Sequence, residues 1–302
     1  MAAIGRWLSS IVGGLLALLS LIAVWFTARL FRAARRRGEM APKPEAIALG
    51  AVTNFFDTLG IGSFAPTTAY MKLRKMAPDS YFPAILNAGH ALPTVVQALV
   101  FISLVRVDAW LLVSCIIGAV AGSLVGAPLV QRAPLRFVQG TVGLALLVAA
   151  ALYTMKNLGW IPEADAGLLA LPPEQFTIAV AAHVAMGVLM MFGIGLYAPS
   201  LIVLSLLGLN PVAAFPIMMG SCAFLMPVAS ARFVDSERID LRIVLGLALG
   251  GIPAVLLAAF VVKQLDLVTL RWLVVVVVLY AAALLLRSAF APAKAASEPQ
   301  AA

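Results

Sequence analysis

The chain is poor in charge, in cysteine and in histidine, and each shortage excludes a class of function. Asp, Glu, Lys and Arg make up 11% of its 302 residues, against about 25% in a typical soluble domain. A surface made to face water on all sides is therefore excluded. The two cysteines, Cys115 and Cys222, both fall inside apolar stretches, which argues against a disulfide framework and reads as small packing residues. Two histidines cannot build a histidine-rich metal site, and His-Glu-x-x-His and Gly-x-Ser-x-Gly are both missing. An enzyme is not expected, nor a metal or other cofactor. No ring of carboxylates lies at membrane depth, which weakens a cation channel. The net charge of +8 does not argue for nucleic acid, because the basic residues sit in short loops beside apolar runs, where they orient a membrane protein.

What the chain does have is apolar sequence, at 63%. Runs such as Leu241–Val262 and Leu273–Leu286 hold almost no polar atoms, so the bilayer is its solvent. Residues 1–40 read as a retained N-terminal transmembrane helix, because only Arg6 precedes the run and Arg29, Arg32 and Arg35–Arg37 follow it; a cleaved signal would show the reverse. Residues 45–157 and 174–287 read as two units. An acidic, proline-bearing linker, 158–173, separates them, and a disordered cytoplasmic tail, 288–302, ends the chain.

The two units are copies. Leu59-Gly-Ile-Gly-Ser-Phe-Ala-Pro66 returns as Phe192-Gly-Ile-Gly-Leu-Tyr-Ala-Pro199, 133 residues later. Ten identities fall in the 33 positions from Gly60 to Leu92, without a gap, which marks an internal repeat. One residue is then lost, and Asp108 pairs with Asp240 and Gly118 with Gly250. The segment from Glu45 to Lys75 is basic at both ends and broken in the middle. A re-entrant hairpin satisfies both facts, since its first arm of about 15 residues is too short for a core of about 30 Å. Spans near Tyr81–Leu104, Ala109–Val130 and Leu135–Met155 follow. The second unit repeats the scheme with a hairpin near Glu174–Leu207 and spans near Val212–Ala231, Leu241–Val262 and Leu267–Leu286.

The expected fold is thus an all-α polytopic membrane protein with two inverted-topology repeats. Each repeat is a re-entrant broken-helix hairpin plus three transmembrane helices, and one extra N-terminal transmembrane helix precedes them. Seven crossings put the N-terminus outside and the C-terminus in the cytoplasm. This arrangement places 16 of the 21 Lys and Arg residues inside, as the positive-inside rule asks.

An inverted pair of units, each opening on Gly-x-Gly with a Pro four residues later, resembles the TauE/SafE sulfite-exporter family. The motifs that carry the resemblance are Gly60–Pro66 and Gly193–Pro199, and it covers Ala46 to about Leu286. Family members commonly show a longer glycine run, where this chain has Ser63 and Leu196. The resemblance implies a carrier in the bacterial inner membrane for sulfite, sulfoacetate, another sulfonate or a related small organic anion. An intramembrane enzyme or a membrane scaffold without transport activity is the alternative.

The expected substrate site draws on Gly60, Gly62, Ser63, Thr67, Asn87, His90, Gly193, Gly195, Tyr197 and Ser221. A half-helix that restarts inside a membrane protein offers free N–H groups and a positive dipole end to an oxyanion. Glycines let ligand oxygens reach the backbone. The competing reading is that Gly-Ile-Gly only permits close packing of the arms. Asp57 and His90 are the candidates for a coupling proton. Capping for Asp57, or a cationic partner such as Arg232, and a plain core hydrogen bond for His90 stand as equal alternatives. His183 is expected to be structural and to lie near the outer surface. Pro83 and Pro216 are expected to interrupt or bend the spans holding Asn87 and Gly220. The site is placed between the hairpin tips, against the stretches Asn87–His90 and Gly220–Cys222.

Overall fold

The computed structural model describes residues 2–129, 135–160, 168–191, 194–235, 238–263 and 267–290. The regular elements among them are helical. They are α1 (Ala2–Arg37), α2 (Pro44–Thr58), α3 (Phe64–Arg74), α4 (Phe82–Leu104), α5 (Ala109–Leu129), α6 (Leu135–Asn157), α7 (Pro173–Met191), α8 (Tyr197–Leu206), α9 (Pro211–Val234), α10 (Leu241–Lys263) and α11 (Leu267–Phe290). Residues 161–167 of the expected linker lie outside the described residues. So does most of the expected tail, 291–302; residues 288–290, expected to be disordered, instead complete the last turn of α11.

Seven helical stretches among the described residues are long and apolar enough to cross a membrane: 11–37, 82–104, 109–126, 173–191, 211–234, 241–261 and 271–290. The exterior they present is apolar too, with Ile117, Leu257, Phe260, Val276 and Phe290 all exposed. Exposed apolar surface on this scale fits lipid rather than water. The chain is a multi-pass membrane protein. Six of the seven were expected as crossings. The seventh, α7, was expected as a short hairpin arm and has 19 residues, while α6, expected as a crossing, is a 23-residue helix whose described apolar stretch is Gln139–Met155. At 1.5 Å per residue α7 is about 28 Å long, against about 22 Å for α2.

Four helix pairs build the bundle: α2 lies along α10, α7 along α5, α4 against α9, and α6 against α11. Helices α4 and α9 supply much of the buried core, with Phe101 and Phe215 stacked at 5.4 Å. The first two pairs approach through glycines. A Cβ on Gly250 would stand 1.9 Å from the Ile47 carbonyl oxygen, and one on Gly50 would stand 2.4 Å from that of Leu247. Likewise a Cβ on Gly122 or Gly187 would stand 2.0 Å from the carbonyl oxygen of Val184 or Ala119. Gly246 and Gly250, and Gly118, Gly122 and Gly126, recur every four residues, the spacing that lets helix backbones meet in a membrane.

Polar contacts gather the chain at two ends. At one, Glu45 meets Arg74 at 2.8 Å, Lys43 meets Asp240 at 2.7 Å, and Arg29 pairs with Asp235. The Arg74 guanidinium holds the Glu45 carboxyl below the usual carboxylate range. The Glu45–Arg74 pair ties the start of α2 to the end of α3. At the other end Leu168 bridges to Leu209, and Asn210 N–H donates to Leu168 O at 2.9 Å, which ties the approach to α7 to the exit from α8. Helix α9 starts at the second end and finishes at the first. The two helix hairpins therefore open at opposite ends of the molecule. Asp108 and Asp240, matched in the repeat, do the same job. Each accepts the N–H three residues on, from Leu111 at 2.8 Å and Ile243 at 3.1 Å, as helix N-caps do.

Helices α4 and α9 run unbroken past Asn87–His90 and Gly220–Cys222, so the expected interruption there is corrected. Pro83 is the second residue of α4, where no N–H is needed. Pro216 removes a single bond inside a helix walled by neighbours.

Candidate site between the two helix breaks

The first break is set by glycine geometry. Gly60 and Gly62 have φ of +93° and +87°, and Gly60 N–H returns to Asp57 O at 2.8 Å, closing α2 much as a left-handed cap does. Ser63 N–H then donates to Asp57 Oδ1 at 2.6 Å, a charge-assisted bond that folds the loop back on α2. Helix α3 restarts at Phe64 with Pro66 in its first turn. At the second break Ile194 N–H reaches Leu189 O at 3.3 Å, and α8 restarts at Tyr197 with Pro199 in its first turn. The N–H groups of Phe64, Ala65, Tyr197 and Ala198 have no acceptor within their own helices.

Both restarts face one small cavity of about 60 Å³, walled by Gly62, Phe64, Ala65, Gly195, Tyr197 and Ala198, with α6 and α11 closing its far side through Leu146 and Tyr280. It has room for several water-sized groups. Among the described residues no Lys or Arg lines it. The positive ends of two helix dipoles converge there without a fixed cation.

Behind the cavity lies a buried polar cluster. Asp57 Oδ2 accepts from Gln97 Nε2 at 2.9 Å, which also reaches Thr58 Oγ1 at 2.9 Å, and the Tyr197 hydroxyl donates to Gln97 Oε1. The chain Ser63–Asp57–Gln97–Tyr197 therefore connects the first break to the start of α8. No Lys or Arg pairs with Asp57 among the described residues. Arg232, the cationic partner expected as one alternative, is exposed in the last turn of α9.

Comparison with protein-family models, with curated proteins and with solved structures finds no match for this chain. Its own geometry therefore carries the functional argument.

The expected site residues divide into two groups. Gly62, Gly195 and Tyr197 wall the cavity, Gly60 and Ser63 shape the loop beside it, and Thr67 lies one turn into α3. Gly193 lies outside the described residues. Asn87, His90 and Ser221 are buried on α4 and α9 and do not line the cavity, which meets α6 and α11 instead of those stretches. Asn87 donates to Pro83 O at 2.9 Å, while its Oδ1 and the Ser221 hydroxyl find no protein partner. His90 links α2 to α3: Nδ1 lies 3.0 Å from Asn54 Oδ1 and Nε2 3.0 Å from Thr67 Oγ1. His183 is likewise fully buried, bonded to Ala179 O at 2.8 Å and to Ser200 Oγ at 3.0 Å. Thr67 and Ser200 are equivalent positions, so each returning helix is pinned to a histidine by its fourth residue. Thr67→Val should therefore lower thermal stability by about 1–3 kcal/mol, read as a drop in the unfolding midpoint of the purified protein; an unchanged midpoint would remove the pin.

Gln97 was missed. Its signal was present: a lone amide in an apolar run, two helical turns after His90 and on the same face.

Proposed function

We propose that the protein is a secondary carrier for a small sulfur oxyanion (sulfite, sulfoacetate or another sulfonate) in the bacterial inner membrane, working by alternating access. One observation carries the reading. Two hairpins that open at opposite ends of the molecule bring both their helix restarts to one cavity. Broken helices that aim N-termini at a central anion are the common device of such carriers. Backbone donors without a lysine or arginine suit an ion that must also be released. The sulfur-oxyanion class rests on the resemblance of the Gly60–Pro66 and Gly193–Pro199 motifs. The reading assigns no bond-breaking step.

We further propose that residues 45–157 and 174–287 are inverted repeats, each a re-entrant hairpin plus three transmembrane helices, with α1 added in front. Reciprocal packing supports this. The contact of Gly250 with Ile47 recurs as Gly118 with Val180, the pair expected from the two sequence offsets of 132 and 133 residues. Arg29, Arg37, Lys43, Arg74 and Arg242 share one end, which the positive-inside rule makes cytoplasmic. The N-terminus then lies outside and the C-terminus inside. Single cysteines replacing Arg74 and Arg106 should label from opposite faces of the membrane, Arg74 from the cytoplasm. Labelling of both from one face would remove the inverted arrangement.

The substrate class is tested by thermal stabilisation of the purified protein. A bound anion at a hundred times its Kd adds about 2.7 kcal/mol, so sulfite or sulfoacetate should raise the unfolding midpoint and chloride should not. Equal shifts from all salts would remove the assignment.

A further inference from the structure

The buried carboxylate of Asp57 has an odd position for a protein that takes up anions. It sits directly behind the loop whose front forms the cavity, bonded to Ser63 between two cavity-lining residues, Gly62 and Phe64. An anion in the cavity and an ionised Asp57 are like charges in a poorly screened interior, and they draw on the same helix end. From this juxtaposition we infer that Asp57 takes up one proton as the anion enters, so that the carrier moves anion and proton together. The inference rests on the carrier reading above.

The hydrogen bonds supply a route for the coupling. With Asp57 ionised, its two oxygens accept from Ser63 N–H and from the Gln97 amide, whose oxygen in turn accepts the Tyr197 hydroxyl. A hydronium ion of the bulk gives up the proton and leaves as water, as a new O–H bond forms on Asp57 Oδ2; no other covalent bond changes. That O–H needs an acceptor, and the Gln97 amide turns over to present its oxygen. Gln97 Nε2 then donates to the Tyr197 oxygen. The Tyr197 hydroxyl hydrogen is released from Gln97, on a residue that walls the cavity. Ser63 N–H stays on the remaining Asp57 oxygen throughout. Proton uptake thus removes a negative charge from behind the site and frees a donor on a residue that walls it. A monovalent anion and the proton together add no net charge.

Among the described residues, the surroundings offer Asp57 no competing ion. On α4 the only titratable side chain nearby is His90, held by Asn54 and Thr67. On α8 it is Tyr197, bonded to Gln97, and on α9 Cys222, whose thiol meets the Met190 sulfur. Helix α10, packed along α2, has no titratable residue between Arg242 and Lys263. On α3 the titratable residues, Tyr70, Lys72 and Arg74, stand in its last two turns, and Tyr70 and Arg74 bind Glu45 at the hairpin's open end.

By reciprocity, an anion that promotes protonation is bound more tightly as pH falls. The probe is ethanesulfonate, whose own charge does not change, titrated calorimetrically into the full-length protein in lipid nanodiscs from about pH 5 to about pH 8. Wild-type affinity should weaken by about tenfold per pH unit over the upper part of that range, the slope for one linked proton. Asp57→Asn, a neutral isostere, should bind at the tight low-pH limit with no pH dependence. Tyr197→Phe should keep the slope and lose about tenfold at its acidic end, one hydrogen bond's worth. A measurement on the unaltered protein guards against a variant that does not fold. Adding ethanesulfonate to lightly buffered wild-type protein with a pH-indicator dye should consume about one proton per anion bound. Binding that is independent of pH, without proton uptake, would overturn the coupling and leave the carrier intact. An Asp57→Asn protein that keeps the wild-type slope would also overturn it. Failure of ethanesulfonate, sulfite and sulfate alike to bind wild type would overturn the carrier reading and the coupling together.

Discussion

Gly195→Val is expected to abolish anion flux while leaving the protein folded. Gly195 walls the cavity at the second helix break, and a Cβ placed on it meets no atom within 4 Å. Its backbone is not among the positive-φ positions, so a side chain there is sterically accepted by the fold. A branched residue would occupy the volume that the anion needs, beside the first-turn N–H groups of α8. Gly62→Val should also stop flux, but for mixed reasons. Its Cβ also meets open space, yet its φ of +87° adds backbone strain of about 1–2 kcal/mol for a residue with a side chain. The two glycines look alike in sequence, and only Gly195 gives a clean result. The check is flux in proteoliposomes alongside the unfolding midpoint. Normal flux through correctly inserted Gly195→Val protein would move the site elsewhere.

Gly250→Leu is expected to do the opposite, leaving little folded protein to assay. The nearest atom to a Cβ there is the Ile47 carbonyl oxygen at 1.9 Å. That atom is backbone, and no side-chain rotation makes room. Overpacking a tight core already costs about 1–3 kcal/mol, and separating α2 from α10 would also pull on the loop that Asp57 holds. Gly122→Leu, facing Val184 O at 2.0 Å, should be equally destructive in the α5–α7 pair. Gly13→Leu on α1, where nothing lies within 4 Å, is the control and should be nearly neutral. Size-exclusion profiles and midpoints of the three proteins decide the matter; a well-folded Gly250→Leu protein would mean that α2 and α10 are not in backbone contact.

Much of this was legible in the sequence because it depends on local chemistry. Gly60 and Gly62 mark the first break, since a left-handed cap favours glycine, and Pro66 and Pro199 mark the restarts because a first turn tolerates them. Asp108 and Asp240 were matched by the repeat before their shared capping role was visible. What was not legible depends on where neighbours fall. Pro83 read as a break in its span, yet it sits one residue inside the helix start, where it is harmless. Ser221, Asn87 and His90 are polar and deep, but depth does not say which wall they face; the cavity meets α6 and α11 instead. Gln97 needed its partners. An amide between Asp57 and Tyr197 gains meaning only when α2, α4 and α8 are brought together. The glycines spaced by four on α5 and α10 took on meaning only once α7 and α2 lay against them.

The central claim is that the two helix restarts form the site of a sulfur-oxyanion carrier. Its most direct test is the movement of labelled sulfite and sulfoacetate into liposomes containing the purified full-length protein. The account predicts saturable uptake of at least one of them above that of empty liposomes, competed by the unlabelled anion and lost in Gly195→Val. No uptake of either anion, by protein that is folded and correctly inserted, would contradict it.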